Sequence, residues 1–341
     1  MGLPKLHVMT QGAYLHRDGE TISVRVGNEV RLRLPIHTIE SLVCYGQVTC
    51  SSFVLGLCGE RGVGISLMTE NGRFLARVTG AVSGNVLLRR KQFRTADTPS
   101  ASLSIVTSMV TAKIANCRLV LLRGARETPD PDRQTQLKSK AHHLAQMGIM
   151  AAHAATIDEA RGFEGVAAQD YFSVFNQLIA GEGNDFRFHG RSRRPPLDPT
   201  NATLSFVFAL LRHDIESALE SVGLDPAVGF LHTDRPGRPS LALDMMEELR
   251  PHLADRLVLS LINRRQIRSS GFSTEEGGGV IMNDVTRKEV ISAWQRRKQE
   301  EIEHPFLREN VPIGLIPYVQ SLLLARHLRG GLEVYPAFFW R

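Results

Sequence analysis

The sequence predicts an α+β protein in which a small β-rich domain precedes a larger, mostly α-helical domain. Up to about residue 85, apolar residues alternate with polar ones, and glycine-containing turns separate the runs. From Leu87 onward, apolar residues recur every three to four positions, which is the spacing of a buried helix face. The length of 341 residues also suits about two domains. We therefore expect a β-rich domain at 1–85, a linker at 86–100 and a helical domain at 101–341.

Two hairpins and a short helix account for most of the β-rich domain. The first hairpin covers residues 21–34, where apolar and polar residues alternate on both sides of a turn at Gly27-Asn28. The second covers residues 63–78, with its turn at Glu70-Asn71-Gly72. A short helix is expected between them, at 53–58. Each hairpin would bury one face of its strands.

Three features organise the second half of the chain. Residues 181–199 are dense in glycine, arginine and proline and are the clearest connector. A helix is expected to begin at Asp198-Pro199-Thr200. Its apolar stripe comprises Leu204, Phe208, Leu211, Ile215 and Leu219. Two further helices are expected at 286–303 and at 316–328, the second closed by Gly330-Gly331.

The composition is basic, with a formal charge of +6. Of the 41 lysines and arginines, 7 are lysine, which leaves 41 − 7 = 34 arginines. The planar guanidinium group suits phosphate, so an acidic polymer is a natural partner. The same usage would also follow from a GC-rich genome, and composition alone leaves both explanations open.

The cysteines and the N-terminus indicate a cytoplasmic protein that does not enter a membrane. The four cysteines form no CxxC pair and no dense disulfide framework, which is typical of reduced residues; they are Cys44, Cys50, Cys58 and Cys117. The first residues lack the pattern of a signal peptide, and no stretch resembles a transmembrane span of about 20 apolar residues.

The most informative stretch is 228–251, which places His232 ahead of an acidic turn of helix. At helical spacing, Asp244, Glu247 and Glu248 share one face, and apolar residues occupy the other. A divalent cation bound by these carboxylates and a neutral imidazole would offset their repulsion. Alternatively, the acidic face is solvated and the histidine is structural. The residues alone do not decide between these interpretations.

Two basic clusters are candidates for phosphate contacts. The first lies in the connector and comprises Arg187, Arg191, Arg193 and Arg194. The second lies on the helix expected at 286–303 and includes Lys288 and Arg297. Solvated charges are an alternative for the first cluster, and salt bridges with nearby acids are an alternative for the second.

Four segments of the chain resemble one protein family in the order in which that family has them. They are GFLHTDRPGRPSLALDMMEELRP at 229–251, RGFEGVAAQDYF at 161–172, FHGRSRRPPLDPTNATLSFVFALL at 188–211, and GGGVIMNDVTRKEVISAWQRRKQEEIEHPFL at 277–307. The family is that of the CRISPR-associated integrases that capture new spacers, the "Cas one" family. The closing YPAFFWR and the GGG segment resemble members from type I-C systems most closely.

The resemblance implies a metal site. The glutamate of its EG motif, the histidine of GFLH and the acid three residues beyond the LALD aspartate would be the ligands, which here are Glu164, His232 and Glu247. Asp244 would support them from outside the coordination sphere, and we expect Glu164 at the start of a helix. One histidine with carboxylates suits Mg²⁺ or Mn²⁺. The same three residues would be the catalytic ones.

The resemblance also implies a reaction and partners. The 3′-OH of a captured DNA fragment would attack a phosphate at a repeat boundary of a CRISPR array, and water in place of the 3′-OH would give endonuclease cleavage. The chain would act as a homodimer, through its β-rich domain, with a small ferredoxin-like protein of the adaptation complex. A plain metal-dependent, structure-specific nuclease and a non-catalytic nucleic-acid-binding scaffold are the alternatives.

Overall fold

A computed structural model describes residues 5–39, 41–70, 74–78, 80, 85–180 and 185–340. Contacts divide the chain into two compact units, 1–84 and 85–341. The first unit is rich in strands and the second is mostly helical, so the predicted α+β class is confirmed.

The described residues of the first unit form short strands and one α-helix. Its elements are β1 (Lys5–Val8), β2 (Ala13–Asp18), β3 (Thr21–Val26), β4 (Glu29–Pro35), β5 (Ser41–Tyr45), β6 (Thr49–Cys50), α1 (Ser52–Glu60), β7 (Gly64–Met68) and β8 (Phe74–Val78). One sheet has the order β4-β3-β2-β6 and the other has the order β1-β5-β7-β8. Leu15, Ile22, Leu42 and Ile65 contribute to a shared apolar core.

Both predicted hairpins form. β3 and β4 pair antiparallel around Gly27, whose φ of 60° lies in the left-handed region that favours glycine. β7 and β8 pair antiparallel as well, although residues 71–73 of the expected turn lie outside the described residues. The expectation of one buried face on each strand is wrong for β4, because Val30 and Leu32 are 37% and 39% exposed. β4 lies at the edge of its sheet.

The second unit is built from helices with two small hairpins. Its elements are α2 (Val86–Ala96), α3 (Pro99–Glu127), α4 (Pro131–Ala152), α5 (Ile157–Ser173), α6 (Pro199–Val222), α7 (Ser240–Arg250), α8 (Arg256–Asn263), β9 (Phe272–Thr274), β10 (Val280–Met282), α9 (Asp284–Gln299), β11 (Glu301–Glu303), β12 (Asn310–Pro312) and α10 (Ile316–Leu328). α3 packs against α4, α5 and α7, and α6 packs against α7 and α10.

Several helix boundaries follow the sequence and others do not. α6 begins as expected, because the Asp198 side chain accepts a hydrogen bond from the backbone N–H of Asn201 at 2.7 Å. α10 ends at the expected residue. The helix expected at 286–303 ends earlier, because residues 301–303 pair with β12 as a strand. Residues 86–100, expected to be a linker, are mostly helical.

α3 is long and apolar enough, by composition, to cross a membrane. Most of its apolar window is buried within the second unit, against α4, α5 and α7. This burial is that of a core helix. The apolar character of α3 therefore reflects its position at the centre of the helices.

Candidate active site

Three helices meet at Lys113, a buried lysine in the middle of α3. Its ammonium contacts a carboxylate oxygen of Glu164 from α5 and one of Glu247 from α7. The side chains of Lys113 and Glu247 are 7% and 6% exposed, and that of Glu164 is 21% exposed. Two of the three predicted ligands are therefore brought together, with a positive charge between them.

The pKa values of Lys113 and Glu247 are shifted toward the charged form of each. Burial disfavours the ionised form of Glu247, but the Arg250 guanidinium and the Lys113 ammonium outweigh it and lower its pKa to about 2. Burial likewise disfavours the charged form of Lys113, but Glu247 and Glu164 raise its pKa above the ordinary value. Arg250 lies one turn beyond Glu247 and donates to it at 3.2 Å.

His232 lies in the loop before α7, close enough to Glu247 to lower its pKa further. Its Nδ1 is 2.7 Å from Asp244 Oδ1. Asp244 also accepts the backbone N–H groups of Phe230, Leu231 and His232 at 2.6 to 2.9 Å. A carboxylate bonded to Nδ1 fixes the ring and leaves Nε2 as the nitrogen that can face a metal.

The close approach of this loop to α7 depends on Gly229. A Cβ at this position would lie 2.8 Å from Asp244 Oδ2 and 2.8 Å from two atoms of Ser240. The loop is also tied to α5, because Arg161 donates to the Leu231 carbonyl at 2.7 Å. Arg161 lies one turn before Glu164. The residues flanking His232 are thus held from both α5 and α7.

Glu164 itself is not at the start of its helix, contrary to our expectation. α5 begins seven residues earlier, where the Thr156 hydroxyl accepts the Glu159 N–H at 3.1 Å and Asp158 and Glu159 occupy the first turn. Glu164 lies in the middle of the helix. It is therefore aimed by the packing of α5 on α3 and not by a helix end.

The three acids of α7 do not converge as the helical pattern suggested. Glu248 points away from Glu247 and accepts hydrogen bonds from the Tyr335 hydroxyl at 2.5 Å and the Phe338 N–H at 2.7 Å. Burial raises the pKa of Glu248 to about 7, because its effect outweighs that of these hydrogen bonds, which lower the pKa. Glu248 anchors residues 335–338 to α7, so it is not available as a ligand.

The donor set of the site suits a hard divalent cation. Glu247 Oε2 is buried and has no aligned hydrogen bond, although it contacts the Lys113 ammonium. Within the described part of the chain, no three His, Cys, Asp or Glu side chains stand in an arrangement that holds a metal ion. Two carboxylates and an oriented imidazole are nevertheless ligands that Mg²⁺ or Mn²⁺ accepts.

The arginines of the connector divide into two kinds. Arg187, Arg193 and Arg194 are exposed, whereas Arg191 is half-buried and donates to Asn201 at 2.8 Å. Burial, Arg193 and Arg250 lower the pKa of Arg191 to about 10. Its role is thus to fix the connector against α6, and the exposed arginines are the ones free to meet a phosphate.

One aromatic ring joins the connector to the carboxylates. The guanidinium of Arg191 lies 5.2 Å from the centre of the Phe208 ring, and that of Arg250 lies 4.7 Å from the same centre. Because Arg250 also donates a hydrogen bond to Glu247, the part of the connector that carries Arg191 lies beside the candidate site. In the second cluster, Lys288 is exposed on α9, whereas Arg297 is half-buried and pairs with Glu300.

Three residues that contact the candidate site were not predicted from the sequence. They are Lys113, Arg161 and Arg250. Lys113 was the most accessible to prediction, because a single lysine in an apolar helical run needs a buried partner. The other two stood within the quoted segments but looked like ordinary surface charges.

Comparisons with known proteins agree on one family. The family model described as "CRISPR associated protein Cas1" matches residues 6–296. The "CRISPR-associated endonuclease Cas1 1" of Chlorobaculum tepidum is 50% identical over 339 residues and 99% of each chain. The "CRISPR-associated endonuclease Cas1 2" of Rhodospirillum rubrum is 51% identical over 346 residues and 99% of each chain.

Solved structures share the fold at low sequence identity. A CAS1 protein from Thermotoga maritima has a TM-score of 0.83 and 23% identity, covering 97% of this chain and 98% of its own. A casposase bound to its integration product has a TM-score of 0.83 and 20% identity; the match covers 100% of this chain and 95% of the casposase chain. A chain of a Cas6-RT-Cas1–Cas2 complex has a TM-score of 0.83 and 21% identity; the match covers 99% of this chain and 36% of the chain in that complex.

Proposed function

The chain belongs to the CRISPR associated protein Cas1 family, and on that premise we propose that it is a metal-dependent DNA endonuclease and integrase that inserts foreign fragments into a CRISPR array. One observation carries this proposal. Two carboxyl groups from different helices, those of Glu164 and Glu247, contact the Lys113 ammonium beside the histidine that Asp244 orients. The names of the two relatives, which are endonucleases, and the fold of the casposase support it.

Glu164, His232 and Glu247 would hold the metal ion. When bound, a divalent cation supplies Lewis-acid stabilisation of a phosphoryl oxygen and eases the ionisation of an attacking hydroxyl. Asp244 keeps the His232 ring oriented through Nδ1, and Arg250 donates to Glu247 and lowers its pKa, which favours the ionised form that would bind a metal. The nucleophile is the 3′-OH of the fragment in strand transfer and water in cleavage, so one set of residues serves both reactions.

Exposed basic residues would hold the DNA. Arg187, Arg193 and Arg194 lie on the connector, which contacts the site through Arg191, and they would bind phosphates without reading sequence. Lys288 on α9 is a further candidate, whereas Arg297 is already paired with Glu300. The DNA would comprise the captured fragment and the CRISPR repeat.

The protein partners follow from the family and from one exposed edge. We propose a homodimer formed through the first unit, where β4 presents Val30 and Leu32 at the edge of its sheet. A second partner would be the small ferredoxin-like protein that the family resemblance implies. The solved complex named Cas6-RT-Cas1–Cas2 supports a further protein partner. We place the chain in the cytoplasm of a prokaryote, and in a type I-C system on the resemblance of residues 335–341 and 277–279.

A strand-transfer assay tests the proposal. A DNA fragment with a free 3′-OH is incubated with a supercoiled plasmid that carries a repeat, in Mn²⁺ or in EDTA. We expect joining in Mn²⁺ alone, and its loss in Glu164→Ala, His232→Ala and Glu247→Ala. Glu127→Ala, which removes an exposed carboxylate at the end of α3, is the matched control and should join DNA as the wild type does.

The outcomes separate the proposal from its alternatives. Cleavage without any joined product would make the chain a nuclease. DNA binding with neither reaction, and with no response to Mn²⁺, would make it a scaffold. Equal joining in EDTA and in Mn²⁺ would rule out the metal-dependent mechanism.

A further inference from the structure

We propose that the Lys113 ammonium is an internal cation that holds Glu164 and Glu247 together until a divalent metal ion displaces it, so that lysine and metal compete for the same two carboxylates. The inference rests on the proposed function, because it takes these carboxylates as metal ligands. It adds Lys113 of α3 to the residues that bear on the site, outside the predicted ligand set.

The geometry supports competition for one place. The Lys113 ammonium contacts one oxygen of Glu164 and one of Glu247, which come from helices α5 and α7. It lies between the two carboxylates and is the positive group that both of them share. A divalent ion bound by the same two oxygens would occupy the position that the ammonium now fills.

The local charge supports displacement over simple addition. By formal charge, Glu164 and Glu247 contribute −2, and the two bases that pair with them, Lys113 and Arg250, contribute +2, so these four groups balance one another. Adding a divalent ion without moving either base would leave +2 in a poorly screened place. The ammonium must therefore move away, or an anion such as a DNA phosphate must arrive with the metal.

Of the two bases, Lys113 is the one that can move away from the carboxylates. Its ammonium is a point charge on a flexible four-carbon chain. Arg250 touches only Glu247 of the two carboxylates, and its guanidinium lies 4.7 Å from the centre of the Phe208 ring, which holds it in place. We therefore expect the metal ion to bind weakly in the absence of DNA. It should bind more tightly when a DNA phosphate balances the charge of the displaced Lys113 ammonium.

Manganese binding by the full-length chain, without DNA, tests the competition. The electron paramagnetic resonance signal of free Mn²⁺ gives the bound fraction and needs no enzymatic activity. Lys113→Met keeps most of the side-chain volume and removes the charge, so it should bind Mn²⁺ at least tenfold more tightly than the wild type, or about 1.4 kcal/mol. Lys140→Met, which breaks a lysine pair with Asp170 elsewhere, should bind as the wild type does.

If Lys113 had only a structural role, Lys113→Met should bind Mn²⁺ less tightly than the wild type, because loss of the lysine would loosen the helices and weaken the metal site.

The melting temperature gives a second test. Lys113→Met leaves two adjacent carboxylates without their shared counter-ion, so it should melt at a lower temperature in EDTA. Mn²⁺ should raise its melting temperature by more than it raises that of the wild type. If it does not fold in EDTA, Mn²⁺ should restore it. The double variant Lys113→Met with Glu164→Gln, which removes one of the two carboxylate charges, should fold without metal.

Three results would overturn the inference. The first is Lys113→Met binding Mn²⁺ no more tightly than the wild type, which leaves the metal site of the proposed function intact. The second is an unfolded Lys113→Met that Mn²⁺ does not restore, while the double variant folds. The third is a wild-type chain that binds no Mn²⁺, which would overturn the proposed metal site as well.

Discussion

Asp244→Asn should be far more damaging than a neutral, nearly isosteric change suggests. The Asp244 carboxylate accepts four hydrogen bonds, two at each oxygen, from the loop that carries His232. An asparagine has only one oxygen in its place. An NH₂ group in the place of Oδ2 faces the N–H groups of Phe230 and Leu231, which it cannot bind, in a position with no exposure to solvent. In the place of Oδ1 it faces the His232 N–H, and it can donate to Nδ1 only if the ring proton moves to Nε2, the nitrogen that would face a metal.

The structure sets the expected size of this effect. A hydrogen bond to a charged acceptor contributes about 1.5–3 kcal/mol, so the loss of one or two bonds should lower the free energy of unfolding by at least about 1.5–3 kcal/mol. Disordering the His232 ring should also weaken metal binding by about 10- to 100-fold. From the sequence we would have expected Asp244→Asn to be milder than loss of a ligand, because it appeared only to support the site.

Urea unfolding followed by circular dichroism measures the first effect, and Mn²⁺ titration of the folded variant measures the second. Asp234→Asn is the matched control, because Asp234 lies exposed in the same loop. An Asp244→Asn variant within 1 kcal/mol of the wild type in free energy of unfolding, with unchanged Mn²⁺ affinity, would refute the reasoning.

Three further outcomes follow from the structure. Gly229→Ala places a Cβ 2.8 Å from Asp244 Oδ2, so it should cost about 1–3 kcal/mol, visible as a lower melting temperature; an unchanged melting temperature contradicts this contact. Replacing Arg193 and Arg194 by alanine should reduce the slope of log binding constant against log salt concentration, for duplex DNA, by up to about 0.9 per lost phosphate contact. An unchanged slope would show that these arginines do not contact DNA phosphates. Burial and neighbouring arginines lower the pKa of His252 to about 2, so the unfolded chain takes up a proton below pH 6.5 that the folded chain refuses. Between pH 6.5 and pH 4.5, the free energy of unfolding of the wild type should therefore fall by about 2 kcal/mol relative to that of His252→Gln; an identical pH dependence in both proteins refutes it.

The sequence predicted local features of the fold well. The Gly27 turn and the start of α6 at Asp198 depend on residues that are neighbours in the chain, and both form as expected. The strand at 301–303 was missed because its helical spacing continues that of α9, while its partner lies nine residues further on. Pairing with a distant segment outweighs local preference there.

The candidate site shows the same limit. Helical spacing placed Asp244, Glu247 and Glu248 near one another, but it carries no information about which element each side chain meets. Glu248 turns to residues 335–338, about 90 positions away, and Glu247 meets Lys113, 134 positions before it. Contacts of that separation are set by how whole helices pack. The family resemblance named Glu164, His232 and Glu247 as ligands, and it gave no sign of the lysine between two of them.

The ring of Phe208 makes one position of the α6 stripe different from the other four. Leu204, Leu211, Ile215 and Leu219 are fully buried, so any large apolar side chain of suitable shape satisfies their role. Phe208 has two guanidinium groups over its ring, each contributing about 0.5–2 kcal/mol through the charge distribution of an aromatic face. A leucine there would preserve the hydrophobic pattern and still leave two like charges without the group between them. Over evolutionary time, this position should therefore exchange only among aromatic residues, while its neighbours on the stripe drift freely among aliphatic ones.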